Sequence, residues 1–543
     1  MKLTTEIIQP QQLTLLIASI VALVFLFKRV EAYLRQRGFA KQYGCKPIAN
    51  SATKEPILGL DLTRKQLRAA KAHKTLEEAT ERFKKYGNTF RSRQFLQSTI
   101  MTIEPDNIKT VLALKFDDYG IGHRLKDFGP LLGSGIFDTD GQHWHSSRAL
   151  IRPNFARDQV ADLAAFERLI PDLFSLIPRD GKTTVDLQDI FFCYTIDSAT
   201  EFLFGQSVGS LKKIPDAEIS FAEAFNCAQD AIRMRGLLGP LYIFGRDPKT
   251  AKCETICRDI AQKFAEGAIE AVENQRRSQT DDETHEKPTK YVFSHELARR
   301  TSNKRRILDE LMNVLLAGRD TTASLLSNLF FMLAKNPVVW AKLQAEVATL
   351  EGRLPTFEEL RKLKYLRCCL NESLRIHPVV PMNSRKAVKD TFLPLGGGPD
   401  GTSPVFVPKG TRMVYSTYAM HRRTDLYGPD ADEFRPERWE TGKLLPRWEY
   451  LPFNGGPRVC LGQQYALTEA SESAIASIGN GTGLSPEDLE IELDPGAQQL
   501  PALQTWARAS ILSQPWALHV AAAASGHCGS RSLCSKTVMS TLC

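Results

Sequence analysis

The residues best equipped for chemistry stand together around position 460. The stretch Phe453-Asn-Gly-Gly-Pro-Arg-Val-Cys460-Leu-Gly462 fits the pattern F-x-x-G-x-R-x-C-x-G. Each fixed type has a physical task. A cysteine thiolate is a strongly donating axial ligand for haem iron and favours O–O bond cleavage there. Glycines let the backbone turn tightly beneath a flat cofactor. Amides around the sulfur tune its potential. Arg458 can form a charge-assisted pair with a haem propionate. A helix starting just after Cys460 would bring its N-terminal amides close to the thiolate and favour the anion. The competing reading is a buried cysteine in a glycine-rich loop. It accounts for the cysteine but not for the matched positions taken together.

Three further constellations precede it. Ala317-Gly-Arg-Asp-Thr-Thr322 interrupts an apolar helical stretch. A small residue and a glycine there leave room for a ligand, and a mid-helix hydroxyl can bend the helix by bonding back to a carbonyl. On these residues alone, Asp320 and Thr321 read equally well as a solvent-facing pair. Glu372-Ser-Leu-Arg375 puts an acid and a base at i, i+3 on one helix face, a pairing worth little if exposed. Trp144-His-Ser-Ser-Arg148 sets an indole N–H and a guanidinium on one face at i, i+4, where both can reach a carboxylate. The alternative there is a core tryptophan and a surface arginine.

In their order along the chain, and over roughly Ile57 to Ala470, these segments resemble the cytochrome P-450 family. The resemblance implies a mainly α fold with a smaller β region and an N-terminal membrane anchor helix. It implies that Cys460 ligates the haem iron within a loop shaped by Phe453 and Gly462. Asp320 and Thr321 would guide protons during oxygen activation. Trp144, Arg148 and Arg458 would hold the haem propionates, joined by Arg385 in Pro-Met-Asn-Ser-Arg. Glu372 and Arg375, with Arg438 of Phe434-Arg-Pro-Glu-Arg438-Trp439, would form a buried structural triad and take no part in catalysis. The implied activity is monooxygenation, with haem b, O2 as co-substrate and electrons from NADPH through a cytochrome reductase. The stretch Gly396 to Trp439, together with AGRDTT and FNGGPRVCLGQQYALTEA, is similar to fungal members that hydroxylate n-alkanes and fatty acids at or near the chain end. A lipophilic small molecule is the expected substrate. Two other readings stand: a haem-thiolate isomerase or dehydratase, which Asp320-Thr321 disfavours, and a non-catalytic remnant unable to hold haem.

The elements that must position these groups read mainly as helix. Leu76 to Tyr86, Gln159 to Phe174 and Ile256 to Gln275 carry apolar residues at three- and four-residue spacing. A long helix is expected from about Ser302 to Lys335, stopped by Asn336-Pro337. Met382 to Tyr418 reads as strands, with a turn at Gly396 to Gly401. Pocket walls are expected from Phe128, Leu131, Leu132, Ile136, Phe137, Val379 and Val380, an apolar set suited to an alkyl chain.

Composition narrows the function classes. The 543 residues are 43% hydrophobic and 24% charged, with a net charge of +8, ordinary for a globular chain. No Lys/Arg run with interleaved aromatics suggests a nucleic-acid groove; the balance suits an acidic protein partner or an anionic membrane. Eleven cysteines form no C-x-x-C pair, so the body is expected in a reducing compartment. Leu13 to Phe27 is apolar but as a helix spans roughly 22 Å, short of the ~30 Å hydrocarbon core. Starting from Ile7 it is long enough. Lys28, Arg29, Arg35, Arg37 and Lys41 follow it and favour a cytosolic body. The chain therefore divides into a signal anchor (1–30), a basic, Pro-containing linker (31–56), a haem-thiolate domain (57–470) and an atypical tail (471–543). The expected location is the endoplasmic reticulum membrane, single-pass. The tail, rich in Ala, Ser, Gly and Cys, departs from the family's pattern as a frameshift or retained intron would.

Overall fold

The structure is a computed structural model. It describes residues 10–52, 55, 59–94, 97–156, 163–177, 184–212, 220–238, 242, 247–278, 291–440, 444, 446–479, 490–493 and 518–521.

Helix α1 (Pro10–Gln42) runs continuously through the apolar stretch and the basic cluster after it. Leu16, Ile20, Leu23 and Phe27 are exposed along it. Among the described residues, no helix is long and apolar enough to cross a membrane. The end of α1 is tied to the globular body. Phe39 lies 5.4 Å from Phe406, and Tyr43 stacks on Phe392 at 4.7 Å.

The strands are β1 (Ala49–Asn50), β2 (Thr89–Gln94), β3 (Gln97–Thr102), β4 (Tyr119–Gly120), β5 (Thr184–Asp186), β6 (Met382–Ala387), β7 (Thr391–Gly397), β8 (Ser403–Val407), β9 (Arg412–Ser416), β10 (Glu490–Leu493) and β11 (Leu518–Ala521). The largest sheet has the order β1-β2-β3-β9-β6-β4. The expected strand region at 382–418 is thus shared between this sheet and the β7–β8 hairpin, whose turn uses Gly396, Gly398 and Gly401 at positive φ. Within the tail, β10 pairs with β11, and β11 pairs with β5.

The helices that build the site are α2 (Arg124–Leu132), α3 (Gly141–Ile151), α4 (Leu187–Phe204), α5 (Phe221–Leu238), α6 (Pro248–Ser278), α7 (Lys304–Lys335), α8 (Lys364–Ile376) and α9 (Gln463–Gly479). Helix α7 begins with Asn303, whose side chain accepts from the Arg306 amide at 3.0 Å, a standard N-cap. It ends at Asn336, where Pro337 opens the next helix. The expected helix from Gln159 to Phe174 is different: its described part is two short helices, Ala164–Glu167 and Ile170–Ser175. Pro171 cannot continue a helix and instead starts one.

Helix α7 passes between two apolar cores. Ile307, Leu311 and Leu315 belong to one, shared with α4, α5 and α6. Ala323, Leu326 and Leu329 belong to the other, shared with α4, α8 and α9. The Ala317–Thr322 motif lies between them, where the helix is free of apolar packing duty and can carry polar groups. Past Ala470, α9 continues to Gly479, and Ala474 and Ile475 are fully buried in the second core.

Candidate functional site

The loop before α9 is closed by its own backbone. The Cys460 amide donates to the Phe453 carbonyl at 3.0 Å. Gly456 has φ +69°, and a Cβ there would lie 2.0 Å from the Leu112 carbonyl oxygen. Only glycine therefore permits this backbone-to-backbone approach. Cys460 is solvent-accessible, yet burial pushes its thiol up. Accessible surface combined with enclosure on all sides means the sulfur faces an interior space. The Gly462 amide and the Arg148 guanidinium oppose that upward push, as expected at a helix start, but burial outweighs them. A coordinated metal removes the penalty, because a metal-bound thiol is deprotonated outright.

Guanidinium groups gather beside the sulfur. Arg148, on α3, donates to the Val459 carbonyl at 3.0 Å, one residue from Cys460. Arg458 lies over the Trp144 ring at 4.3 Å and donates to the Thr139 carbonyl and to Asp140 at 2.9 and 2.7 Å. Trp144 is buried on the same face of α3 as Arg148, whose guanidinium is 6.0 Å from the ring. Arg385, buried in β6, donates to Asn383 Oδ1, and so does Arg124 of α2. Burial, then the neighbouring Arg385, pushes Arg124 down to about 10. Arg458 is also pushed down to about 10, by burial and by Arg385, Arg124 and Arg148, against the pull of Asp140. Four cations held this close repel one another, and an anion among them relieves the repulsion. Arg124 was not anticipated: it lies in His-Arg-Leu-Lys-Asp, which carries no motif, and only the fold brings it to Asn383.

On α7, Thr321 Oγ1 donates to the Ala317 carbonyl at 2.7 Å, the expected helix-bending bond. Asp320 is buried, not solvent-facing. Burial raises its carboxyl above the usual range, opposed by Arg319 and Gln229. Arg319 donates to Asp320 Oδ1 at 3.1 Å, and the Gln229 amide of α5 donates to Oδ2. Arg319 sits over the rings of Phe192 and Phe225 at 4.9 and 5.5 Å. Neither Gln229 nor the burial of Arg319 was visible in sequence, since a mid-helix arginine usually reaches water.

Glu372, Arg375 and Arg438, which the resemblance grouped as a triad, lie together and buried. Glu372 accepts from Arg375 Nε and Nη2 at 2.9 Å each, from Arg438 Nε at 2.8 Å, and from Trp439 Nε1 and the Arg435 amide at 2.9 Å each. Arg375 also donates to the carbonyls of His421, Ala431 and Glu433. His421 Nε2 accepts from the Leu451 amide and Nδ1 donates to the Arg375 carbonyl. It links the triad to the start of the cysteine loop. Of the expected pocket walls, Leu131 and Leu132 are fully buried, Val379 is buried, and Phe137 and Val380 are exposed.

The donor set fits a haem. Among the described residues no group of three His, Cys, Asp or Glu side chains could hold a metal ion. A single accessible thiol therefore suits a metal that brings its own ligands, and the arginine cluster suits carboxylate groups on that same macrocycle.

A sequence model of the family described as Cytochrome P450 matches residues 56–472. The chain is similar to cytochrome P450 monooxygenase himC of Aspergillus japonicus, 49% identical over 438 residues, covering 80% of this chain and 78% of the relative. It is 45% identical to cytochrome P450 monooxygenase fsdH of Fusarium heterosporum over 519 residues, 90% of each chain. It is 44% identical to cytochrome P450 52A3-B of Candida maltosa over 428 residues, 75% of this chain and 80% of the relative.

Proposed function

The chain belongs to the cytochrome P450 family and is an oxidoreductase of the monooxygenase type; from that premise we propose that it hydroxylates n-alkanes or fatty acids at or near the chain end. The observation that carries the haem site is the accessible, enclosed thiol of Cys460 beside the Arg124, Arg148, Arg385 and Arg458 cluster. The bound haem, reduced by electrons from NADPH through a reductase, supplies the oxygen-inserting chemistry.

The chain's own residues do the rest. Arg148, Arg458, Arg385 and Arg124, with Trp144 beneath Arg458, hold and orient the propionates. Cys460 would hold the haem iron through its thiolate. Leu131 and Leu132 pack with Leu311 and Leu315 of α7 in the core behind the site, and among the expected walls Phe137 and Val380 keep exposed apolar surface for an alkyl chain. Asp320, whose carboxyl burial raises, stands beside Thr321 on α7, and the pair would guide protons. Glu372, Arg375 and Arg438 keep the cysteine loop in place from outside the site. The exposed apolar side chains of α1 and the basic residues after them support an anchor at the endoplasmic reticulum membrane, with the body cytosolic.

The test is turnover of the purified full chain with a NADPH-dependent reductase, O2 and a panel of n-alkanes and fatty acids. Oxygen-dependent terminal or near-terminal alcohols are expected. Oxygen-independent rearrangement products would overturn the assignment.

A further inference from the structure

Arg412 opens β9 and has no task in the scheme above. It is the exposed residue of an otherwise buried strand, and among the described residues its guanidinium has no hydrogen-bond or ion-pair partner. Burial nonetheless pushes it below the usual guanidinium range, with the charge of Asp127 pulling against it. As at Cys460, accessible surface combined with enclosure means that the group faces an interior space. A second cation stands on the same face of the sheet. Lys386 of β6 is the direct cross-strand partner of Arg412, and like charges placed directly opposite repel each other. An anion between them relieves that repulsion. Lys386 Nζ lies 3.4 Å from Nε2 of His123, at the start of α2.

The acid available here is a poor counter-ion. Asp127 of α2 faces His123, Lys126, Arg235 and Arg412, yet burial raises its carboxyl against all four. Arg235 of α5 is already paired with Glu254, and it reaches Asp127 only at the backbone carbonyl, 3.3 Å away. One acid thus serves a surplus of positive charge. A path for an apolar chain leads away from it. Residues at i, i+2 and i+4 of a strand line one face, so Lys386, Ser384 and Met382 form a row about 13 Å long at ~3.3 Å per residue. All three are half-buried. The row ends beside Pro381 and Val380, and Val380 keeps exposed apolar surface. Cations at one end and apolar surface at the other suit an amphiphile with one terminal anion.

We propose that Arg412 and Lys386 hold the carboxylate of a fatty acid, with its alkyl chain along the Ser384–Met382 row and its methyl end offered to the haem side. The proposal rests on the hydroxylase reading above and deepens it: of n-alkanes and fatty acids, it selects the acids. A guanidinium meets a planar carboxylate with two parallel N–H donors, and the ammonium of Lys386 adds a point charge. The enclosure of Arg412 favours a single ligand over a membrane headgroup, which would need an open surface. No bond is made or broken at Arg412, so it is a specificity-determining residue. With the carboxylate held there, the end left to reach the haem is the methyl end, which agrees with terminal hydroxylation.

Binding of dodecanoic acid, its methyl ester and dodecane to the haem-loaded full chain tests this, read by equilibrium dialysis and by the shift of the Soret band. The wild type should bind the acid at least about tenfold more tightly than the ester, the range for a hydrogen bond to a charged group. Arg412→Gln should erase that preference and leave ester affinity unchanged, which also shows that the variant folds. Arg412→Lys should keep part of it, as a charge without the fork. Lys386→Gln should lower acid affinity by a smaller factor. Asp127→Asn should raise it, because the competing carboxylate is gone. In turnover, Arg412→Gln should lower the ratio of terminal to subterminal alcohol from the acid and not from the ester. Equal affinity of the wild type for acid and ester overturns the proposal, and so does an unchanged acid preference in Arg412→Gln. A variant that keeps the acid preference but no longer sediments with phosphatidylserine vesicles assigns these cations to the membrane surface and overturns it too. An acid that binds through Arg412 yet yields no oxygen-dependent alcohol would count against the hydroxylase reading and not against the anchor.

Discussion

Replacing Glu372 by Gln should cost about 3–5 kcal/mol of folding stability, the range for removing one member of a buried ion pair. The carboxylate is fully buried and accepts five hydrogen bonds from four residues, two of them through arginine guanidinium groups. An amide keeps one acceptor oxygen and turns a second donor toward Arg375 and Trp439. Two guanidinium groups then remain buried with no carboxylate between them. Adding five charge-assisted bonds at ~1.5–3 kcal/mol each would overshoot, because bonds sharing one acceptor are not additive. The assay is denaturant unfolding of the wild type, Glu372→Gln, Arg375→Met and the double variant, with haem content measured beside it. The double variant should lose less than the two singles summed. Arg375→Met should itself be costly, because the carbonyls of His421, Ala431 and Glu433 lose their donor. A loss below about 1 kcal/mol in Glu372→Gln would refute the reasoning, since that is the value of an exposed pair.

Other outcomes follow from the same geometry. Arg124→Ala and Arg458→Ala should each weaken haem retention, read by haem loss to an apo-haem acceptor, while Arg93→Ala, remote from the cluster, should not. Gly456→Ala should destabilise by on the order of 2–4 kcal/mol, since a Cβ would overlap the Leu112 carbonyl at a left-handed φ; unfolding midpoints check it. Burial and the adjacent Arg375 push His421 down to about 3. The unfolded chain then binds a proton that the folded chain refuses between about pH 6.5 and 3. Its contribution is full above pH 6.5 and is lost as pH falls through that window, at most about 5 kcal/mol by linkage. The denaturation midpoint of the wild type should drop between pH 6.5 and 4, and His421→Gln should drop less.

The cysteine loop, the long α7 and the Glu372 triad were legible because their information is local. Glycine spacing, i, i+3 pairs and a capped helix with a proline stop each fit within about ten residues. What stayed hidden depends on segments far apart in the chain. Arg124 joins Arg385 only because α2 and β6 meet at Asn383. Gln229 reaches Asp320 only because α5 lies across α7. Arg412 reads as an ordinary strand-end cation until β6 and α2 are brought against it. The break near residue 170 was locally written: Pro171 outweighs the apolar periodicity around it. The sequence also marked Ala470 as the end of family-like residues, whereas α9 continues to Gly479, since the small residues after Ala470 still pack against the second core.

The most direct measurement is the carbon-monoxide difference spectrum of the reduced full chain beside that of Cys460→Ser. The wild type should show a thiolate-type Soret band that Cys460→Ser lacks, with the fold retained in both. A thiolate band that survives Cys460→Ser, or its absence from a wild type that binds haem, would contradict Cys460 as the iron ligand.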